Sequence, residues 1–458
     1  MKYDEIFARS FSRQDQRRFG YGALVACFVV ICCLCTVLKP NYLRPLPILN
    51  LRLALVDGLK LAMVTERTNK PQLEEAYVEI KEAMLICNTL EQRSDTCEMK
   101  GDVRIQANSS TIFVFSSSHR RNASWTIKPY ARKGDITAME SVTNFTVKVI
   151  QELKVETMPK CTKTHNVPAI VFSVGGYAGN NFHAFTDVII PLYETSREFG
   201  REVKFLVANK RSRWTSKFKQ LLDKLSRYEI IDIDHGNEVH CFPSMIVGLK
   251  KDKGKELHTN SMKDFITFLR SSYSLERSTA INLNDGSSRK PRLLIVSRQR
   301  TRTLTNIDDI VRAARDIGFQ VIVSEMNANL TQVSRLINSC DVMMGVHGAG
   351  LTNMLFLPEN GVVIQVVPMG KMDWLANTCF GVPSTKMGLK YLEYKIMSSE
   401  STLIKQYPLD HQVFMDPTSV QTKGWVPYRS IYLDKQNVML NVTRFKETLS
   451  KSLQLLYL

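Results

Sequence analysis

An alternation of short apolar runs with helical patterns occurs twice in this chain, and it narrows the possible folds more than any other feature. From Val167, "VPAIVFSV" is followed by the helical pattern "NNFHAFTDVIIPLYETSREF", then "VKFLVAN", "WTSKFKQLLDKLSRY" and "EIIDID". After a polar linker, "NLNDGSSRKP", the rhythm restarts with "RLLIVS", "IDDIVRAARDIG", "FQVIVSE", "LTQVSRLINS", "DVMMGV", "LTNMLFL" and "GVVIQVVP". Strands that alternate with helices specify parallel sheets covered by helices. A chain of 458 residues is long enough for two such units, since single cores stop growing near ~250–300 residues. Upstream, "GDVRIQANSSTIFVFSS", "SWTIKPYAR" and "NFTVKVIQEL" are β-branched and aromatic runs separated by polar turns, which reads as a strand-rich section. A helix is expected over "PQLEEAYVEIKEAMLI", and "NVTRFKETLSKSLQLLYL" is a terminal helix expected to pack back across both domains.

The N-terminus places the rest. "YGALVACFVVICCLCTVL" (21–38) carries no charge, and a bilayer core needs about 20 apolar residues, with ~17 the lower limit. Arg13, Arg17 and Arg18 precede it, so the positive-inside rule keeps residues 1–20 cytosolic and sends the body to the lumen. "TVLKPNY" offers no small-residue cleavage site, which favours a type II anchor over a signal peptide. The prolines of "KPNYLRPLPILN" begin a stem over 39–75. Outside the span lie Cys87, Cys97, Cys161, Cys241, Cys340 and Cys379; Cys87 with Cys97 is the local disulfide candidate, and the remaining connectivity stays open. Sequons at Asn108, Asn122, Asn144, Asn329 and Asn441 are glycosylation acceptors if they face the lumen. The net charge of +17 fits an anionic membrane or substrate, or a solvated basic surface; a luminal body makes nucleic acid an unsuitable partner.

The chemistry concentrates at strand ends. In "GVHGAGLTN", His347, Gly348, Ala349 and Gly350 occupy the turn after "DVMMGV", and "LTNMLFL", with Thr352 and Asn353, begins a helix at Leu351. Ligands bind outside the carboxyl ends of parallel strands, and bare backbone N–H groups at a helix start favour an anion such as a diphosphate. The order G-x-x-G-x-G is not the dinucleotide fingerprint, which weighs against a nicotinamide oxidoreductase. "RLLIVSRQRTRTLTN" puts Ser297, Arg298, Arg300 and Arg302 past another strand of the same sheet, where cations neutralise a leaving phosphate; Arg298 and Arg302 are the candidates, and Arg300 is left undecided. In "VGGYAGNNFHAFTD", His183 and Asp187 are four apart and share a helix face. A carboxylate that orients an imidazole makes a general base for a hydroxyl. The pair Asp232 and Asp234 in "EIIDIDHG" has a D-x-D spacing, but no metal site is expected there. Lys371, Asp373 and Trp374 in "MGKMDW" are read either as a solvated loop or as contacts to a sugar.

Together, "GGYAGNNFHAFTDVIIPLY", "KPRLLIVSRQRTRTLTN", "CDVMMGVHGAGLTNMLFLPENGVVIQVVP", "MGLKYLEY" and "CNTLEQRSDTCEMKGDVRI" resemble the blocks of plant members of glycosyltransferase family 61, in the right order from about Cys87. The resemblance implies a GT-B arrangement of two facing Rossmann-like domains. The acceptor side would span 76–285, Rossmann-like from about 165, and the nucleotide-sugar side 286–458 with its C-terminal helix. It also implies an inverting enzyme with no cofactor and no D-x-D metal, a Golgi type II membrane protein. Plant relatives in these motifs look like xylan-modifying enzymes that add arabinofuranosyl or xylosyl side chains, so UDP-arabinofuranose or UDP-xylose would be the donor and xylan the acceptor, with a complex among xylan-synthesising enzymes possible. Others in the family β-1,2-xylosylate N-glycans, and animal cousins add N-acetylglucosamine to proteins. On this reading His347 to Asn353 and Arg298 hold the donor diphosphate, with Ser297 and Arg302 beside them. Gln365, at the end of "GVVIQ", stands where many such enzymes place an acidic residue on the ribose. His183 with Asp187 is the candidate base; the reverse division of labour, or another base, stays open, as does a catalytically silent scaffold of the same fold.

Overall fold

The structure is a computed structural model and describes residues 85–115, 124–151, 156–250, 259–286, 289–326 and 329–458. The expected tail, anchor and stem, the sequon asparagine Asn122 and all but the end of the helix expected near residue 80 lie outside the described residues. Among the described residues no helix is long and apolar enough to cross a membrane.

The fold is mixed α/β, built on two sheets within one compact unit that contains every described residue. The first sheet contains β1 (Leu85–Asn88), β2 (Thr96–Gln106), β3 (Thr111–Phe115), β4 (Ser124–Ile127), β5 (Phe145–Ile150), β6 (Lys163–Thr164), β7 (Ala169–Ser173), β8 (Lys204–Ala208), β9 (Ile231–Asp232) and β10 (Val239–Val247). Its order is β4-β5-β3-β2-β10-β7-β8-β9, with β1 on β2 and β6 on β10. β10, β7, β8 and β9 run parallel, and β10 meets β2 antiparallel, so one strand joins the strand-rich section to the parallel part. β7 is buried at every position, as expected of a parallel strand covered on both faces, whereas β3 alternates. The residues Leu85 and Ile86, expected as the end of a helix, form β1 and pair with β2.

The second sheet is wholly parallel: β11 (Arg292–Val296), β12 (Gln320–Ser324), β13 (Val342–Val346), β14 (Val362–Val367) and β15 (Lys390–Lys395), in the order β12-β11-β13-β14-β15. The winding direction reverses between β11 and β13, which opens a crevice at their carboxyl ends. The helices Ile307–Ile317 and Leu330–Asn338 form as the periodicity indicates. Ala349–Phe356 departs from expectation: it is a 3-10 helix that begins at Ala349 rather than Leu351. The terminal helix Val442–Gln454 packs on Ile307–Ile317 and β15, within the second half, and does not cross to the first.

The largest apolar cluster belongs to both halves. Phe172, Phe185, Phe205 and Phe218 from the first share it with Leu294, Met343 and Phe356 from the second. Phe185 meets Phe356 edge-on at 6.2 Å between ring centroids. Each such fully buried ring contributes about 1.5–3 kcal/mol relative to exposure. Cys87 bridges to Cys97, the expected pair, and Cys161 to Cys241; Cys340 and Cys379 are free thiols. The sequon asparagines Asn108, Asn144, Asn329 and Asn441 are all exposed.

Candidate functional site

On the first half, β7 ends in Ser173 and the chain turns through Gly175 and Gly176 into a helix that starts at Asn181. A side chain on Gly175 would meet the Ser141 carbonyl at 2.3 Å, so this turn requires bare backbone. Asn180 caps the helix by accepting from the Phe182 N–H. The helix widens into a π turn over Ala184–Ile189 before it returns to α at Ile190–Ser196, a distortion frequent at functional sites. His183 sits at its edge. Its Nδ1 lies 2.9 Å from Asp187 Oδ2; with the fully buried Asp187 as acceptor, Nδ1 carries the proton and Nε2 is left to accept one. Asp187 also takes hydrogen bonds from Tyr130 Oη (3.3 Å), Arg93 Nη2 (3.4 Å) and Thr186 Oγ1 (3.0 Å), and Arg132 Nη1 lies 3.5 Å away.

Opposite, β13 ends at Val346 and His347 N–H still donates to the β14 residue Val366. Gly348 then adopts φ +144, beyond the reach of other residues, and a Cβ there would lie 2.8 Å from Arg302 Nη1 and 3.0 Å from Arg298 Nη1. The bare backbone of "GVHGAGLTN" thus serves two ends: an unusual dihedral and the close approach of two guanidinium groups. Arg302 Nη1 donates to the His347 carbonyl at 2.8 Å, and its Nε is buried without a partner. Arg298 donates to the Thr301 carbonyl and hydroxyl. Neither arginine makes an ion pair among the described residues. Burial, then repulsion from Arg298, lowers Arg302 to about 9, and burial lowers Arg298. Two like charges held together without an ion-pair partner, with Asp434 the acidic group that acts on Arg302, are arranged for an anion.

His347 is buried, and burial followed by Arg302 and Arg298 drives it down to about 3, so the imidazole is neutral. Its Nδ1 meets Gln365 Nε2 at 2.6 Å. The Gln365 carbonyl lies 2.6 Å from Tyr391 Oη, which also reaches Glu393 Oε1 at 2.9 Å; with the amide turned this way its N–H points at the ring. Nδ1 therefore accepts, and Nε2–H is the remaining donor.

His183, Arg298, Arg302, His347, Gly348 and Ala349 line one cleft of about 690 Å³. Ser297, Arg300, Gly350 and Asn353 line a neighbouring cavity of about 540 Å³ that shares Arg298 and Ala349 with the cleft. Two expected donor contacts line neither cavity. Gln365 is fully buried and reaches neither cavity; β14 points it at His347 instead. Thr352 is also buried inside the 3-10 turn, its Oγ1 without a partner, and lines neither. Lys371 donates to Thr418, Asp373 pairs with Lys395, and Trp374 lies with Asp373 along a separate groove. Asp232 and Asp234 are occupied locally: Lys210 Nζ lies 3.5 Å from Asp232 and the Lys210 N–H donates to Asp234. Among the described residues no group of three or more His, Cys, Asp or Glu side chains is placed to hold a metal.

Sequence reasoning missed Arg93, Tyr130 and Arg132 around Asp187, and Trp425, Arg429 and Asp434 on the cleft wall. Arg132 in "KPYARKGD" had a local signal, a basic residue just past a strand ahead of a glycine. Trp425 and Arg429 had none, because they are the two ends of one five-residue helix with no strand to mark it.

Comparison with known proteins bears on this geometry. A family model described as Glycosyltransferase 61 matches residues 155–364, the stretch that carries both histidines and both arginines. The alpha-1,3-arabinosyltransferase XAT2 of Oryza sativa subsp. japonica is 45% identical over 373 residues, covering 80% of this chain and 63% of its own length. The chain thus spans less than two thirds of that relative. The beta-1,2-xylosyltransferase XYXT1 of the same organism is 39% identical over 87% of this chain and 90% of its own length. The xylan glycosyltransferase MUCI21 of Arabidopsis thaliana is 34% identical over 87% and 84%. With that identity across nearly the whole of two relatives, the chain belongs to the glycosyltransferase 61 family.

Proposed function

We propose that this chain is an inverting glycosyltransferase of GT-B architecture that moves a pentose, arabinofuranose or xylose, from a UDP-sugar onto xylan as a side chain. The observation that carries the reading is the convergence of Arg298 and Arg302 on Gly348, across one cleft from the His183–Asp187 pair. The names of the rice relatives supply the two pentoses, and MUCI21 supplies xylan.

The division of labour follows from which atoms are free. His183 Nε2 takes the proton of an acceptor hydroxyl, and its oxygen bonds to the anomeric carbon. The bond from that carbon to the diphosphate breaks on the opposite face, and its electron pair leaves with UDP. The charge that grows on the leaving group is met by Arg298, Arg302 and the His347 Nε2–H, all in place beforehand. Because two guanidinium groups already face the leaving group, no divalent metal is needed. We place the protein in the Golgi membrane with its catalytic part luminal, on the apolar run 21–38, two disulfides and four exposed sequon asparagines. Association with other xylan-synthesising enzymes belongs to the same reading.

The test uses the full chain in detergent, xylohexaose, and separately UDP-arabinofuranose, UDP-xylose and UDP-N-acetylglucosamine, with and without EDTA. One pentose added, at a rate that EDTA leaves unchanged, is expected. Transfer only to an N-glycan acceptor would replace xylan with the β-1,2-xylosylation of N-glycans. Failure to bind any UDP-sugar would sink the enzyme reading in favour of a silent scaffold.

A further inference from the structure

We propose that Arg93 and Arg132 are positioning residues that hold the Asp187 carboxylate and offset its charge, so the strand-rich section tunes how readily His183 takes a proton. The inference rests on the reading of His183 as the base, and it concerns residues outside 155–364, the stretch that the family model matches.

Asp187 is fully buried at the π turn and is met from two loops of the strand-rich section. The loop after β4 supplies Tyr130 Oη, which accepts from the Tyr177 N–H and donates to Asp187, and Arg132, whose Nε holds Asp135 Oδ2 at 2.8 Å while Nη1 faces Asp187. The loop between β1 and β2 supplies Arg93, whose Nη2 faces the other oxygen of Asp187. That loop is closed by the Cys87–Cys97 disulfide and tied down by the Lys133 N–H to the Arg93 carbonyl (2.9 Å), Lys133 Nζ to Asp95 (2.6 Å) and Ser94 Oγ to the Leu249 carbonyl (2.6 Å). Three tethers and a disulfide fix the backbone from which the half-exposed Arg93 side chain reaches Asp187.

The charges close around this arrangement. Arg93 and Arg132 balance Asp135 and Asp187, so a proton on His183 would add an unbalanced positive charge to a buried cluster, which is unfavourable. Burial depresses the Arg132 guanidinium, and Asp187 with Asp135 outweighs that and leaves it raised, so it stays charged. The other titratable groups that face the pair are neutral or lie across the cleft. Burial raises Tyr130 far above its ordinary range and Cys379 to about 12; Tyr177 stacks edge-on to His183 at 5.0 Å; Arg298, Arg302 and His347 form the far wall, with Arg429 and Asp434 beside them. Without Arg93 the cluster carries a net negative charge, and the imidazole would hold a proton at higher pH.

The test is an NMR titration of the full chain in detergent, labelled in the histidine imidazoles, with the His183 signal assigned by its loss in His183→Ala. Arg93→Gln is expected to raise the His183 titration midpoint by about one pH unit, a tenfold gain in proton affinity, and Arg93→Lys to restore it. Arg132→Gln should move the midpoint the same way and decides the matter should Arg93→Gln not fold. An unmoved or lowered midpoint in either folded variant overturns the proposal. Transfer assayed on the same samples judges the enzyme reading separately: an inactive wild type would remove that reading, while the titration would still decide this one.

Discussion

His183 and His347 face the same cleft from different halves of the molecule, and both are held through Nδ1, at 2.9 Å by the Asp187 carboxylate and at 2.6 Å by the Gln365 amide. The carboxylate accepts the Nδ1 proton and leaves Nε2 a base; the amide donates to Nδ1 and leaves Nε2–H a donor. The surroundings follow suit. Around Asp187, cations are matched by carboxylates, whereas around His347 two arginines make no ion pair, and burial with their repulsion lowers that ring to about 3, which keeps it neutral. In the proposed reaction one ring receives a proton and the other is barred from doing so, which would let one residue type serve opposite ends of a substitution.

The largest test of that contrast is removal of each ring. His183→Ala is expected to lower the transfer rate by about 10³-fold with UDP-sugar affinity little changed, while His347→Ala should act chiefly on donor affinity; equal losses in both parameters at both sites would erase the distinction. Next, Arg302→Ala removes one of these two arginine charges, and calorimetry should show UDP binding weakened about 100-fold, the worth of a charged hydrogen bond and its Coulomb partner. A subtler change is Gln365→Glu, which would give His347 the kind of partner that His183 has. Wild-type UDP affinity should be flat between about pH 6 and 8 as far as His347 is concerned, since its imidazole is already neutral well below that range. The variant should bind UDP up to about tenfold more tightly at the acid end as His347 gains a proton, and a flat profile there would show that the amide does not set the charge state.

The smallest effect is in stability. The folded protein resists protonation of His347 until about pH 3, while the unfolded chain takes that proton near ~6.5. The contribution is therefore fully present above the unfolded value and is lost as pH falls toward the folded one. Between pH 7 and 5.5 His347 alone should cost about 1 kcal/mol, read as a fall in Tm that His347→Gln flattens.

What the sequence disclosed and what it hid divide along the separation of partners. Both glycine turns, the arginines past β11 and the pair four residues apart on one helix were legible because each lies within a few residues of a strand end or of its partner. The Cys87–Cys97 bridge, with a separation of 10, was legible; Cys161–Cys241, with 80, was not. Arg93 reaches Asp187 over 94 residues and Tyr130 over 57, and no local pattern records contacts made only when β2 pairs with β10. Gln365 was misplaced for a related reason. Every residue of β14 is buried, so alternation gave no clue to which side chains faced the cleft and which faced a neighbouring ring. The segment between β15 and the terminal helix folds into turns of three to six residues, too short for a periodicity to show.

The apolar cluster that both halves share limits how this protein can move. A hinge that swung the halves apart would have to separate Phe185 from Phe356 and Phe182 from Phe380, exposing rings that each favour burial by about 1.5–3 kcal/mol. Such a molecule does not open like a clamp. A slot whose width is set by the core favours adjustment by small sliding of packed helices, so traffic through the slot, rather than domain closure, is expected to govern how long an acceptor stays engaged.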